Sequence, residues 1–172
     1  QNGAVPAEAG LKAQSRAALK AYNYWVTSKA APDSLHKALS GFRRLAEAGF
    51  APAMYYLANL YDSGQGVDKN ASEAFAWHKK AADAGIPESC VFVGRAYWHG
   101  WNVTKDPTKA LPFFQRAASD NDPEAMLYMG QFYYDGAAVP RNRVTAFFWY
   151  DKAANAGNVQ AMKEVGNFYY SG

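Results

Sequence analysis

The stretch YYLANLYDSGQGV, residues 55–67, reads as the end of a helix followed by a glycine turn. The phrase returns as FVGRAYWHGWNV at residues 92–103 and as YMGQFYYDGAAV at residues 128–139. Sliding the chain by 36 residues aligns it without a gap: Ala53 meets Ser89, Ala125 and Ala161, and Ala58 meets Gly94, Gly130 and Gly166. Tyr61, Tyr97, Tyr133 and Tyr169 share a place, as do Gly64, Gly100, Gly136 and Gly172. The pairs Ala81-Ala82, Ala117-Ala118 and Ala153-Ala154 fall in step too. A fixed period of this length is the signature of a solenoid, in which each unit buries its apolar face against its neighbours.

Each unit reads as two helices. Helix A covers about residues 52–63 of the first unit, where Met54, Leu57 and Tyr61 recur at helical spacing. Gly64 stops it, and Val67 tucks under as an anchor. Asn70, Asp106, Asn142 and Ser34 share one place and are all residue types that cap a helix N-terminus, here that of helix B. Asp122-Pro123-Glu124 opens helix A of the third unit in the same way. The small residues at the Ala58 and Ala81-Ala82 places let neighbouring helices approach closely. The predicted organisation is a flexible lead-in over 1–14, a degenerate repeat over 15–50 with Ala17 and Trp25 in the frame, full repeats at 51–86, 87–122 and 123–158, and a half repeat at 159–172.

Composition bounds the function. The chain has 172 residues, with 49% hydrophobic and 19% charged, which is globular and not disordered. The net charge of +3 divides into +4 over residues 1–50 (seven basic, three acidic) and −1 over 51–172 (eleven basic, twelve acidic). No clustered basic face is visible, which argues against nucleic acid as partner. No apolar run approaches the roughly 20 residues of a membrane-spanning helix, so membrane insertion is not expected. The one cysteine, Cys90, shares the apolar place of Met54, Met126 and Met162 and reads as a buried thiol. His36, His78 and His99 fall at different frame places with no metal-ligand spacing and read as chance surface residues. No catalytic, metal or cofactor residues are assigned. The sequons at Asn70 and Asn102 read as chance, Asn70 already being committed to a cap.

The unit at residues 51–85, with its A-x-x-x-L-x-x-x-Y-x-x-G-x-G-V opening and its A-x-x-W-x-x-K-A-A-x-x-G close, resembles a Sel1-like repeat. The resemblance covers about residues 15–172. It implies an all-α fold, a right-handed α/α superhelix of stacked helix-turn-helix units similar to tetratricopeptide arrays. It also implies an adaptor or scaffold for other proteins, often in bacterial envelopes or secretion-linked systems, so that a periplasmic or secreted place is favoured. Three departures stand out. Trp101, Asn102, Ala137 and Ala138 replace parts of the G-x-G-V turn, so loops two and three are expected to differ in shape from the first. Pro112 falls inside helix B of the second unit and is expected to bend the array. The paired cysteines of some secreted members are absent.

Binding is expected where the frame is kept and the residue type changes. The 55, 59 and 62 places of helix A fall on one face at i, i+4, i+7. They hold Tyr55, Asn59 and Asp62; Val91, Arg95 and Trp98; Leu127, Gln131 and Tyr134; Lys163, Asn167 and Tyr170. By the resemblance to tetratricopeptide stacks this face is the concave one. Rings, amides and one arginine suit a protein or peptide groove, though the same aromatics also suit a core. Two other classes compete with a non-catalytic scaffold. The aromatics could cradle, or serve to hydrolyse, a saccharide or cell-wall ligand, yet no carboxylate pair stands at recognisable spacing. Alternatively, the 159–172 end, where Val165, Phe168 and Tyr169 have no covering helix B in the sequence, gives a place for self-association into a structural oligomer.

Overall fold

The computed structural model describes residues 32–171 together with 10, 13, 16, 17 and 20, without the side chains of 32–36 and 171. The described residues are helical or in turns, with no strand among them, as the all-α reading requires. From residue 32 onward, eight helices follow one another: α1 (Pro32–Glu47), α2 (Ala51–Ser63), α3 (Ala71–Asp83), α4 (Pro87–His99), α5 (Pro107–Ser119), α6 (Pro123–Asp135), α7 (Arg143–Asn155) and α8 (Val159–Ser171). Helices α2, α4, α6 and α8 are the A type, and the other four the B type. Trp25 and most of the lead-in lie outside the described residues.

The chain divides into two compact units, residues 1–86 and 87–172. In the first, α2 packs on both α1 and α3. Its core is Ala38, Phe42, Leu45, Ala46, Ala53, Leu57 and Leu60, with Val67 folded in from the loop beside Tyr61 and Trp77. In the second, each of the helices α4 to α8 packs on the next in sequence. Cys90, Val93, Phe114, Met126, Met129, Phe132 and Tyr150 are buried there, so Cys90 is the core thiol its frame place suggests.

The capping residues explain the helix starts. The side chains of Asn70, Asp106, Asp122 and Asn142 each accept a hydrogen bond from a first-turn N–H. The N–H of Lys109 on Asp106 is the main reason that carboxyl sits below the usual aspartate range. The backbone of Ser34 lies inside α1, whose described residues start at Pro32, rather than ahead of the helix.

The three loops are alike, contrary to the difference expected from Trp101-Asn102 and Ala137-Ala138. The N–H groups of Gln65, Trp101 and Ala137 donate to Leu60, Ala96 and Phe132 at 3.2, 2.9 and 3.1 Å. Those of Asn70, Asp106 and Asn142 donate to Tyr61, Tyr97 and Tyr133 at 2.9, 2.8 and 2.8 Å. Asn102 and Ala138 adopt φ of 57° and 60°, matching 74° at Gly66. Two hydrogen bonds per loop hold the left-handed conformation even where a Cβ disfavours it. Pro112 does not end α5, which runs unbroken from Pro107 to Ser119 with the proline ring on its exposed side.

One further place in the frame is occupied by Phe42, His78, Phe114 and Tyr150, all buried. A Cβ added at Gly94 would lie 2.9 Å from the Phe114 ring, and one at Gly130 would lie 2.5 Å from the Tyr150 ring. The glycines therefore admit large rings from helix B. In the first full repeat Ala58 keeps its methyl, and the equivalent ring is the smaller imidazole of His78. His78 is thus not a surface histidine. It is 2% exposed, and burial pushes its pKa down to about 4, a nearby Asp62 charge working in the other direction.

Candidate partner-binding faces

The variable places on helix A arise in register because α2, α4, α6 and α8 are each 13 residues long and start 36 residues apart. In the first unit Tyr55 is half-buried, its ring edge-on to Tyr56 and His78 with centroids 5.5 and 6.0 Å away. Asn59 is half-buried, and its Nδ2 donates to the Tyr55 carbonyl at 3.0 Å. Asp62 is exposed.

In the second unit Trp98 turns inward. It is half-buried, edge-on to Phe132 at 4.6 Å and to Tyr128 at 5.8 Å. Val91 at the 55 place is buried, whereas Gln131 is half-buried. Tyr134 is exposed, its ring meeting Phe168 edge-on at 5.7 Å and the Arg141 guanidinium at 5.6 Å. Asn167 is exposed and donates from Nδ2 to Glu164 Oε2 at 3.3 Å, and Tyr170 is almost wholly exposed. Tyr134 and Asn167 line a common hollow of about 90 Å³ with Arg143, Glu164 and Phe168. The Arg143 guanidinium lies 5.3 Å from the Phe168 ring. The hollow pairs an aromatic wall with an amide and two opposite charges, a lining that can take one polar or ring-bearing side chain.

Arg95 belongs to a second group. Its Nη1 lies 3.3 Å from Glu124 Oε1, and its guanidinium is 5.0 Å from the centre of the Trp101 ring. His99 stacks on Trp101 at 4.6 Å with 15° between planes, and its Nε2 is 2.9 Å from the Tyr128 hydroxyl. Tyr128 in turn stacks on Phe114 at 4.2 Å. The His99 pKa is lowered, first by burial and then by the charges of Arg95 and Lys105. Burial is also the main cause that raises the Tyr128 pKa. Sequence reasoning missed His99, Trp101, Glu124, Tyr128, Arg143 and Phe168 as members of these groups. Trp101 and Arg143 could have been found, since each departs in type from its frame equivalents: Gln65 and Ala137 for the first, Ala71 and Pro107 for the second. Tyr128 could not, because it reads equally well as core.

Among the described residues no group of three or more His, Cys, Asp or Glu is placed to hold a metal ion, and no helix is long and apolar enough to cross a membrane.

The Sel1 repeat family model matches residues 51–86, 87–122 and 123–158. Among solved structures, the chain is similar to a protective antigen with an SLR fold from uropathogenic Escherichia coli strains. That pair has 35% identity and a TM-score of 0.81 over 95% of this chain and 34% of the other. It is also similar to a Sel1 repeat protein from Oxalobacter formigenes, with 34% identity and a TM-score of 0.69 over 75% of this chain and 97% of that one. Helicobacter pylori cysteine rich protein B is 25% identical, with a TM-score of 0.57 over 78% and 96% of the two chains. The chain spans about a third of the length of the E. coli antigen. No curated protein matches it significantly. The 36-residue frame, the helix pairs and the family match agree, and the chain belongs to the Sel1 repeat family.

Proposed function

We propose that the chain is a non-catalytic scaffold that holds a protein or peptide partner against the variable residues of its A helices, in a bacterial envelope, secretion or signalling setting. The observation that carries the reading is how the repeat divides its places. Those that keep their residue type, such as the place of Ala38, Ala74, Ala110 and Ala146, are wholly buried. The 62 place, which changes type, is exposed in Asp62, Tyr134 and Tyr170 and half-buried in Trp98. A frame that pays for stability at fixed places leaves the others free to be chosen for a partner. The family is one of interaction scaffolds, and the E. coli relative is described as a protective antigen, which favours the envelope setting.

The test is affinity capture from the native source with the wild-type chain and a Tyr134→Ala/Asn167→Ala variant. Both substitutions lie on the exposed hollow and outside the core. A partner held by hot spots here should bind the variant at least about 10-fold more weakly, with thermal melting unchanged. Equal recovery by the two chains would remove the helix-A face as the binding surface.

A further inference from the structure

We propose that Trp101 is the anchor of a binding surface for an acidic peptide segment that carries an aromatic side chain. The inference rests on the partner-binding reading above and names the chemistry of one contact.

The loop does not need an indole at this place. Its two equivalents, Gln65 and Ala137, make the same backbone hydrogen bond, and the residue after each has the same positive φ. Trp101 nevertheless leaves 47% of its surface in water. The ring is also held still. His99 covers it from one side and is itself fixed by the Tyr128 hydroxyl, while Arg95 reaches the ring and is fixed by Glu124. An exposed ring already fixed in place loses little conformational freedom on binding, which is what makes an aromatic anchor effective. Trp98, the residue the sequence offers first, instead spends its ring on Phe132 and Tyr128.

Charge selects the ligand. The groups acting on His99 are the cations Arg95 and Lys105. The carboxylate in the cluster, Glu124, is engaged by Arg95. Because the Arg95 and Glu124 charges offset one another, the net positive charge acting here is that of Lys105, which favours carboxylates beside a ring stacked on Trp101 and disfavours ammonium groups.

The test uses the full chain and two pentapeptides, each with a central tyrosine flanked by aspartates in one and by lysines in the other. The readout is the Nε1–H resonance of Trp101, assigned by its loss in Trp101→Gln. That variant copies the chain's own loop at Gln65, so the fold is retained, and a melting curve checks this. The acidic peptide should shift the resonance along a saturable curve that weakens with added salt, and Lys105→Glu should reduce its affinity several-fold. Equal shifts from both peptides, or acidic-peptide binding that titration calorimetry finds undiminished in Trp101→Gln, would overturn the proposal. The two readings also fail separately. A natural partner that binds Trp101→Gln as tightly as wild type removes this anchor alone. A partner kept by the Tyr134→Ala/Asn167→Ala variant and lost by Trp101→Gln removes the broader face alone.

Discussion

His78 occupies the place that Phe42, Phe114 and Tyr150 fill in their own repeats, and the substitution makes one core position titratable. Its folded pKa of about 4 lies below the ordinary value of 6.5. Between these values the unfolded chain binds the proton more readily than the folded one. The contribution of His78 is therefore full above about pH 6.5, falls as the pH drops toward 4, and changes no further below that. Replacing the imidazole by phenylalanine alone would crowd Ala58, which keeps the methyl that Gly94 and Gly130 lack opposite larger rings. We expect His78→Phe to cost about 1–3 kcal/mol from overpacking at neutral pH. The pair Ala58→Gly/His78→Phe copies Gly94 and Phe114 and should recover most of that loss. It should also flatten the pH dependence, as denaturant melts from pH 7 to pH 4 would reveal. An unchanged slope in the pair would mean that His78 is not the group that titrates. Sequence reasoning passed over this residue, because a lone histidine off any ligand spacing looks like surface until its 36-residue register with three rings is noticed.

At the scale of the helix and its loop, most of the architecture was legible. Three kinds of signal carried it: glycines at helix ends, capping side chains at helix starts, and small residues where neighbouring helices approach. The loops were misjudged for a physical reason. Residue type suggested new shapes at Asn102 and Ala138, but the backbone hydrogen bonds on either side impose one conformation and the side chains accept a left-handed φ. Ser34, expected ahead of a helix, lies inside α1. Helix packing makes a paired prediction. In Gly130→Ala the new methyl would meet the Tyr150 ring at 2.5 Å, whereas a Cβ at Gly166 would have nothing within 4 Å. The first substitution should destabilise by about 1–2 kcal/mol net of its gain in helix propensity. The second should stabilise by roughly 0.5–1 kcal/mol through propensity alone. Chemical denaturation of the two variants measures both. A loss at Gly166 as large as that at Gly130 would contradict the role given to the Gly130–Tyr150 approach.

For the whole molecule, the sequence was informative about the frame and much less so about what is mounted on it. Fixed places identify themselves by recurring. A binding place has no such signature, and its side chain can turn toward the core, as Trp98 does, or outward, as Tyr134 does. Which way a ring turns depends on neighbours on the next A helix, and the 36-residue period does not carry that information. Charge adds little discrimination, since a net +3 on 172 residues has no strong preference for any class of partner. The central claim is that the B helices supply structure while the A helices and their loops supply the binding surface. Amide hydrogen exchange on the full chain, alone and with its captured partner, tests it most directly. The account predicts new protection over α4, α6 and α8 and over the loop that carries Trp101, with α5 and the part of α7 beyond Arg143 unchanged. Protection confined to α5 and α7, with the A helices exchanging as they do in the free chain, would contradict it.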